Sequence, residues 1–495
     1  MSITNEFVAI ATRFQRTTRA GQSPSERKLA SLRPRRPMTV SRRDFLRTAA
    51  ASAAMTPYFW TSHRVVADDK NSRLRLGMIG CGGKGRDDSK LASEHGDFVA
   101  VCDVDRGRAE RYAANPALNG DGQRKLDVYT DHRELLARDD IDVVICATPD
   151  HWHTPIYVDA LLAGKHVYGE KPMTLTIDEV KVLRKAVAKS GCTLQVGNQQ
   201  RSCQWFREAI AIAQSGILGD NLTATCYLGK GNSGGPFQVK PVPKGLDWDR
   251  WLGQTPLVPY ISQRCHGSFR WWYEYSGGKL TDWGAHHLDI AQWALGAIGT
   301  GPVEIEGSGV HDSRENCFNT AQTFRGTLKF ENGTRLIFED GGEKTNGILL
   351  QGDRERIFVN RGKLVGNLVN KITADPKWNK EIRDAAGGLY DGPYGLPDVQ
   401  LNNYANFGEF DAASWTGVKQ SHMGNLFHCI KTGQKPISDV VTVGNSTIAC
   451  HLANIGLRLE RKLRWDPNAE RFIGDDEANA MMSRKQREGY EIKIA

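Results

Sequence analysis

The feature that most constrains this chain is a glycine cluster, Gly80-Cys81-Gly82-Gly83-Lys84-Gly85, set between the apolar run Leu74–Ile79 and a helical segment at about 84–95. A GxGxxG pattern alone says little. After a strand and at the start of a helix, it specifies one supersecondary unit. Gly80 allows the tight turn, Gly82 lets a pyrophosphate approach the backbone, and Gly85 permits close packing of helix on strand. The helix N-terminus then faces the phosphates with the positive end of its dipole. Cys81, Gly83 and Lys84 complete the loop and are read as part of the same contact. Asp103 closes the next strand, 18 residues after Gly85. A carboxylate there accepts the ribose hydroxyls of NAD and repels the 2′-phosphate of NADP. Arg106 and Arg108 lie close by and soften that preference, so NADP stays open.

Strand-like runs at 98–102, 142–148, 166–169 and 193–196 alternate with helical segments at about 106–114 and 177–190. Continuous apolar strands alternating with helices predict a parallel, doubly wound sheet covered on both faces. The second half reads differently. Runs at 223–228, 303–308, 327–330, 335–339 and 347–351 follow one another with few helices between, as in an antiparallel or mixed sheet. Helices are expected at 281–295, about 417–432 and 444–460, and an irregular stretch at 384–412. The chain divides into a leader at 1–67, a dinucleotide-binding α/β domain at 68–200, a second α+β domain at 201–464 and a polar tail at 465–495.

The formal charge of +8 belongs to the leader: residues 1–67 hold 12 Lys and Arg against 3 Asp and Glu, and the rest nets −1. No basic stripe with interleaved aromatics marks a nucleic-acid surface, and no run of 18 apolar residues reads as a membrane span. Within the leader, Ser41-Arg42-Arg43-Asp44-Phe45-Leu46 has the form of a twin-arginine signal. A small-residue segment at 48–55 and Val65-Val66-Ala67 before Asp68 follow it. The expected location is the periplasm. Residues 1–37 look unlike any export element, and Met38 is the expected start. The ten cysteines show no paired spacing, and Cys81, Cys102 and Cys146 sit in or beside apolar runs, so buried thiols are expected rather than disulfides.

Three further segments carry chemistry. Thr148-Pro149-Asp150-His151-Trp152-His153 follows a strand and so lies at the carboxyl edge, where open α/β sheets bind ligands. Glu170-Lys171-Pro172 ends the next strand at the same edge. Thr148, Pro149, His153, Glu170 and Lys171 are therefore placed against the dinucleotide. Gly277-Gly278 precedes Asp282 and His286, which are four residues apart and share a helix face. Oxidising a secondary alcohol needs a base for the hydroxyl proton. A histidine suits this role, an acid fixes its orientation, and a lysine stabilises the developing alkoxide. His287 is read as a substrate contact or an alternative base, and Asp282 is equally readable as a helix cap. Arg270-Trp271-Trp272-Tyr273 suits the apolar face of a pyranose, with Tyr273 as the contact, and is equally readable as core. His151 and His153 lack a third ligand at metal spacing, so no metal is expected.

With these motifs in order, the chain resembles the Gfo/Idh/MocA oxidoreductases over roughly residues 72–460. The resemblance implies that Lys171, Asp282 and His286 form the catalytic group. It also implies a second domain built on a large open sheet that mediates dimers or tetramers. The implied substrate is a sugar, glycoside or polyol, and the resemblance implies that Arg201, after the run at 193–196, contacts a sugar hydroxyl or carboxylate. Some relatives are glycosidases that oxidise the sugar ring transiently with bound NAD. These tend to lose the lysine of the Glu-Lys-Pro motif, so Lys171 favours net redox chemistry.

Overall fold

The computed structural model describes residues 73–119, 124–342, 346–374 and 412–494. The twin-arginine leader, and all but the last residue of the irregular stretch expected at 384–412, lie outside the described residues.

The first domain runs β1 (Leu74–Ile79), α1 (Gly83–Ala92), β2 (Gly96–Cys102), α2 (Arg106–Ala113), β3 (Asp127–Tyr129), β4 (Val143–Cys146), α3 (His153–Leu162), β5 (His166–Gly169), α4 (Ile177–Ser190) and β6 (Leu194–Val196). The six strands pair in parallel in the order β3-β2-β1-β4-β5-β6. The strand order therefore reverses between β1 and β4, the point at which a ligand crevice forms at the carboxyl ends of such sheets. All four residues of β4 are buried, as a strand covered on both faces requires. α4 shows why the helices start and stop where they do. Thr176 accepts a hydrogen bond from the Glu179 N–H at the start, and Gly191 ends the helix at φ 68°.

The second domain adds α5 (Gln204–Gln214), β7 (Thr223–Tyr227), α6 (Trp248–Leu252), α7 (Lys279–Asp282) and α8 (Gly284–Ala294). The strands β8 (Pro302–Val310), β9 (Thr323–Phe330), β10 (Arg335–Glu339), β11 (Gly347–Gln351), β12 (Arg356–Asn360) and β13 (Lys363–Val365) follow. The helices α9 (Ala412–Thr432) and α10 (Thr442–Leu459), then β14 (Leu463–Asp466) and β15 (Arg471–Phe472), complete the series. The strands form one nine-stranded sheet, β13-β12-β11-β7-β10-β9-β8-β14-β15, antiparallel throughout except where β7 runs parallel to β10. Leu336, Leu328, Ile305, Ala224 and Leu350 stand in register on its buried face, against α5, α8 and α10. The helix expected at 281–295 is two helices, α7 and α8, joined at Trp283.

Two boundaries differ from the sequence reading. α9 lies far along the chain, yet Met423, Leu426 and Phe427 pack with Leu76, Met78 and Phe98 in the core of the first domain. His422 ties it there: its ring meets the Val196 carbonyl at 3.0 Å and the Ser202 hydroxyl at 2.7 Å. The 201–464 segment thus lends a helix to the dinucleotide-binding fold. The residues from 465 on, read as a polar tail, also carry apolar anchors, since Trp465, Phe472, Ala478 and Met482 are buried. These anchors are spaced too irregularly to show a helix or strand period. All ten cysteines are free thiols, and nine are buried.

Candidate active site

The glycine loop divides into two kinds of position. At Gly80 the backbone has φ +94°, and a Cβ would stand 2.6 Å from the Ala147 carbonyl oxygen. At Gly85 a Cβ would meet the Gly80 carbonyl at 2.1 Å. Backbone closes both positions, which fits the turn and the helix–strand contact. Gly82 and Gly83 are not closed by backbone: a Cβ on Gly82 would meet only the Arg108 guanidinium, at 3.6 Å, and one on Gly83 nothing within 4 Å. Gly82 caps α1 without a side chain, so the first N–H groups of that ten-residue helix are left for a ligand. Gly82, Gly83 and Lys84 line a cavity of about 290 Å³. An uncapped helix end opening on a cleft fits a pyrophosphate. Cys81 instead turns its thiol into the core, where burial pushes it well above its ordinary range, and contributes only its backbone.

Asp103 also lines the cavity, held by the Cys81 N–H at 2.8 Å and the Asp105 N–H at 2.9 Å. Burial raises its pKa against the pull of those two bonds. Of the two arginines near it, Arg108 reaches the cavity. Arg106 pairs with Glu110 at 2.8 Å on the surface.

Thr148, Pro149, Glu170 and Lys171 form the opposite wall. His153 stands behind it, buried, with Nδ1 2.6 Å from the Pro172 carbonyl and Nε2 2.9 Å from the Thr148 carbonyl. It therefore braces the two loops that carry wall residues. Glu170 organises the floor. Its Oε1 meets Lys84 Nζ at 3.0 Å and accepts from Gln199 Nε2 at 3.0 Å, while Lys84 pairs with buried Asp88 at 2.5 Å. Burial pushes Asp88 up to about 7, with Lys84 pulling the other way.

At the inner end the two domains meet. Lys171 Nζ donates to Asp282 Oδ1 at 2.6 Å and to the Asp282 carbonyl at 2.9 Å. Arg270 Nε stands 3.5 Å from the same carboxylate oxygen. Burial alone would raise Asp282, but Lys171 and Arg270 hold it at about 2. The loop before α7 aims this group. Gly278 has φ +63°, and a Cβ there would strike Thr320 at 2.8 Å. The Ser276 hydroxyl donates to Asp150 at 2.5 Å, which ties that loop to the first domain. His286 follows one turn on. Its Nδ1 is buried with no hydrogen-bond partner among the described residues. Burial, then the Lys171 charge, keeps its pKa well below the ordinary value, so the ring is neutral. His287 faces elsewhere: its Nε2 pairs with Asn346 Oδ1 at 2.7 Å, and it packs against Phe206 and Trp283.

The two other expected substrate contacts are also placed away from this group. Arg201 is buried and spends its donors inside the protein, on both Asp289 oxygens at 2.7 and 2.6 Å, the Ile437 carbonyl at 2.9 Å and the Thr442 hydroxyl at 2.6 Å. Tyr273 lies under Arg458 beside a separate small cavity that Arg484 and His451 also line. Trp272 is core, with Arg264 stacked 3.9 Å over its ring. Arg270 alone of that cluster lines the dinucleotide cleft.

The sequence reading missed the roof of the cleft. Asp247 N–H bonds the Val104 carbonyl at 3.0 Å, which lays α6 over the first domain. Trp251, His266 and Phe269 then line the cavity from above. The last residues reach the same place. Arg487 bonds the Gly253 carbonyl at 2.9 Å, and the Tyr490 hydroxyl donates to Asp249 at 2.6 Å. The Tyr490 ring lines the cavity and meets Trp152 edge-on at 6.0 Å. The Trp248/Trp251 spacing was the only sequence signal for this layer.

Residues 74–198 match the Oxidoreductase family, NAD-binding Rossmann fold. Residues 212–389 and 416–492 match the Oxidoreductase family, C-terminal alpha/beta domain. The chain is 25% identical over 305 residues to the uncharacterized oxidoreductase YrbE of Bacillus subtilis, covering 61% of this chain and 76% of that one. It is 39% identical over 122 residues to glycosyl hydrolase family 109 protein 2 of a Shewanella species, a match spanning 22% of this chain and only 25% of the relative. Among solved structures, the WlbA dehydrogenase of Bordetella pertussis, crystallised with NADH and UDP-GlcNAcA, superposes with a TM-score of 0.56 at 16% identity. It covers 80% of this chain and 99% of its own. The chain belongs to the Gfo/Idh/MocA oxidoreductase family, and its first domain is an NAD-binding Rossmann domain.

Proposed function

We propose that this enzyme oxidises or reduces a secondary alcohol of a sugar, glycoside or polyol, in the periplasm, with a dinucleotide it does not release between turnovers. One observation carries the reading: Lys171, which lines the NAD cleft, meets Asp282 at 2.6 Å, with neutral His286 one turn further along the chain. A bound nicotinamide supplies the hydride acceptor or donor. The chain does the rest. The α1 N-terminus and Asp103 hold the dinucleotide, and Glu170 and Lys84 set the floor beneath it. His286 takes the hydroxyl proton, since only a neutral imidazole accepts one. Lys171 donates to the substrate oxygen and steadies the charge that develops there, and Asp282 holds the lysine in place.

Retention of the cofactor is supported by the roof formed by α6 and the terminal segment. The twin-arginine form of the leader supports loading before export. Copies of the chain associate, on this reading, through the outer face of the nine-stranded sheet, where Thr225, Ile337, Leu349 and Phe358 are half-buried.

A second reading rests on the similarity to the glycosyl hydrolase family 109 protein. On it, the ring is oxidised transiently, the glycosidic bond is eliminated, water adds across the double bond that the elimination leaves, and the ketone is reduced again. Aryl glycosides decide between the two. Keto-sugar product with intact glycoside supports net oxidation. Released phenol with no net change in the nicotinamide absorbance supports hydrolysis and overturns the first reading.

A further inference from the structure

We propose that the small cavity beside Tyr273 binds a small oxyanion that keeps an O–H to donate, hydrogen phosphate or a small hydroxy acid, between Arg458 and Arg484. The site is separate from the NAD cleft and does not depend on the catalytic reading above.

Arg458 ends α10 and Arg484 belongs to the terminal segment, yet both line one cavity of about 30 Å³. Tyr273 holds the two of them. Its ring centre lies 4.9 Å from the Arg458 guanidinium carbon, and its carbonyl accepts from Arg484 Nη1. Neither contact neutralises a cation, and a guanidinium has five N–H groups to place. Two like charges thus stand beside each other. Burial, then the Arg458 charge, lower Arg484 to about 10.

The acids that act on Arg484 are engaged elsewhere. Glu179 accepts from the Thr154 hydroxyl at 2.7 Å, the Leu175 N–H at 2.8 Å and Gln254 Nε2 at 3.3 Å. Glu274 accepts from Arg264 and from Asn319, each at 2.9 Å. Among the described residues no carboxylate stands within ion-pair distance of Arg458 or Arg484. An oxyanion between them supplies that charge through charge-assisted hydrogen bonds, at a partly buried place where such bonds weigh more than at the surface.

Two further residues of the cavity narrow the ligand. Asn454 is buried: its Nδ2 donates to the Gly277 carbonyl at 3.0 Å, while its Oδ1 has no partner among the described residues. His451 Nε2 meets the Thr174 carbonyl at 3.1 Å, so Nε2 carries the proton. Burial holds that ring at about 3, so it is neutral and its Nδ1 is an acceptor. Two acceptors beside two cations disfavour an anion with lone pairs alone and favour one that also donates. Size agrees. One water needs roughly 10–15 Å³, so about 30 Å³ suits a small oxyanion and excludes a nucleotide.

Occupancy bridges α10 to the terminal segment. Tyr490, six residues after Arg484, lines the NAD cleft. The bridge therefore fastens the stretch of chain that reaches the cofactor.

The test is calorimetric titration of the NAD-saturated protein, whose pyrophosphate cradle is filled, at fixed ionic strength. The probes are inorganic phosphate against sulfate, and glycolate against acetate, which separate a phosphate from a hydroxy-acid ligand. We expect one saturable site, with phosphate or glycolate binding about tenfold tighter than its partner, and Arg458→Gln weakening it about tenfold. Asn454→Ala should narrow the gap within each pair. Arg458 is exposed, so its variant reports even if Arg484→Gln or Asn454→Ala fails to fold. NADH release, followed by fluorescence on mixing with excess NAD, should slow when the tighter-binding anion is present in the wild type but not in Arg458→Gln. No saturable binding, binding unmoved by Arg458→Gln, or sulfate and acetate bound as tightly as their partners overturns the site. Saturable binding with an unchanged release rate overturns the bridge.

Discussion

Lys171 and Asp282 lie 111 residues apart in sequence and in different domains, yet their side chains meet at 2.6 Å. The contact joins the carboxyl edge of one sheet to the first turn of a helix on the other. Each group alone has an ordinary structural explanation: a strand-end lysine and a helix-capping acid. Neither explanation predicts that they find each other at the inner end of the NAD cleft.

Lys171→Ala should lower turnover by about 10²- to 10⁴-fold, the usual scale of proton-transfer assistance, while NAD stays bound. His286→Ala should do the same. Because burial and the Lys171 charge hold His286 well below 6.5, its neutral form persists to low pH. The wild-type rate should therefore stay flat from pH 8 down past 6.5 and fall only in stronger acid. Near-native turnover of either variant on the true substrate would remove the assignment.

Asp103 should select NAD over NADP. Asp103→Ala should weaken NAD binding and narrow the gap to NADP in fluorescence titrations. Since Arg106 is occupied by Glu110, Arg108→Ala is the variant that tests the opposing charge. If the wild type binds NADP more tightly, Arg108 is holding the 2′-phosphate and the role given to Asp103 is wrong.

The parts of this molecule that were legible in the sequence are those with local grammar. The glycine loop, the acid ending β2 and the Glu-Lys-Pro edge each announce themselves by position relative to a strand. What was illegible is contact between distant segments. Arg201 follows a strand end, as a ligand contact would, and nothing local says that Asp289 waits for it 88 residues on. Tyr490 sits in a polar run with no period, and only the fold brings it to Trp152. α9 has its own helix signal, but its sequence does not say which domain it serves.

Arg201→Met should then act on stability, not on substrate affinity. It leaves Asp289 buried with the Ser446 hydroxyl at 2.6 Å as its remaining partner. Stranding one charge of a buried pair costs on the order of 3–5 kcal/mol. Denaturant melts should show a loss of that size. A well-folded variant with a raised KM would restore Arg201 to the substrate site.

Buried neutral histidines should make the fold acid-sensitive. Burial lowers His151 and His451 to about 3, and His287 and His422 to about 4. In the unfolded chain the same rings titrate near 6.5. Below that value the unfolded state binds protons that the folded state refuses, so stability drops as pH falls. Four such rings contribute at most about 5 kcal/mol per pH unit. The urea midpoint should decline steeply between pH 6.5 and 5, and His422→Asn should shallow the slope. A midpoint unchanged down to pH 5 would refute this account.

Tyr490 should govern how long the cofactor stays. The Tyr490 ring lines the cavity and its hydroxyl is pinned to Asp249, while Arg487 anchors the same segment to Gly253. On the proposal of a retained cofactor, this terminal segment and the α6 roof slow the departure of the dinucleotide, and differences in affinity between close variants lie mostly in the dissociation rate. Wild-type protein purified natively, dialysed at length and then acid-denatured should release close to one dinucleotide per chain. Tyr490→Ala loses an aromatic contact and the hydroxyl tether together, and its cofactor should dissociate roughly tenfold faster, at a loss of about 1–2 kcal/mol. Asp249→Asn separates the two effects, since it weakens the tether and leaves the ring. If the wild type is folded and nucleotide-free and works only with added NAD, the roof is no barrier and the proposal of a retained cofactor fails.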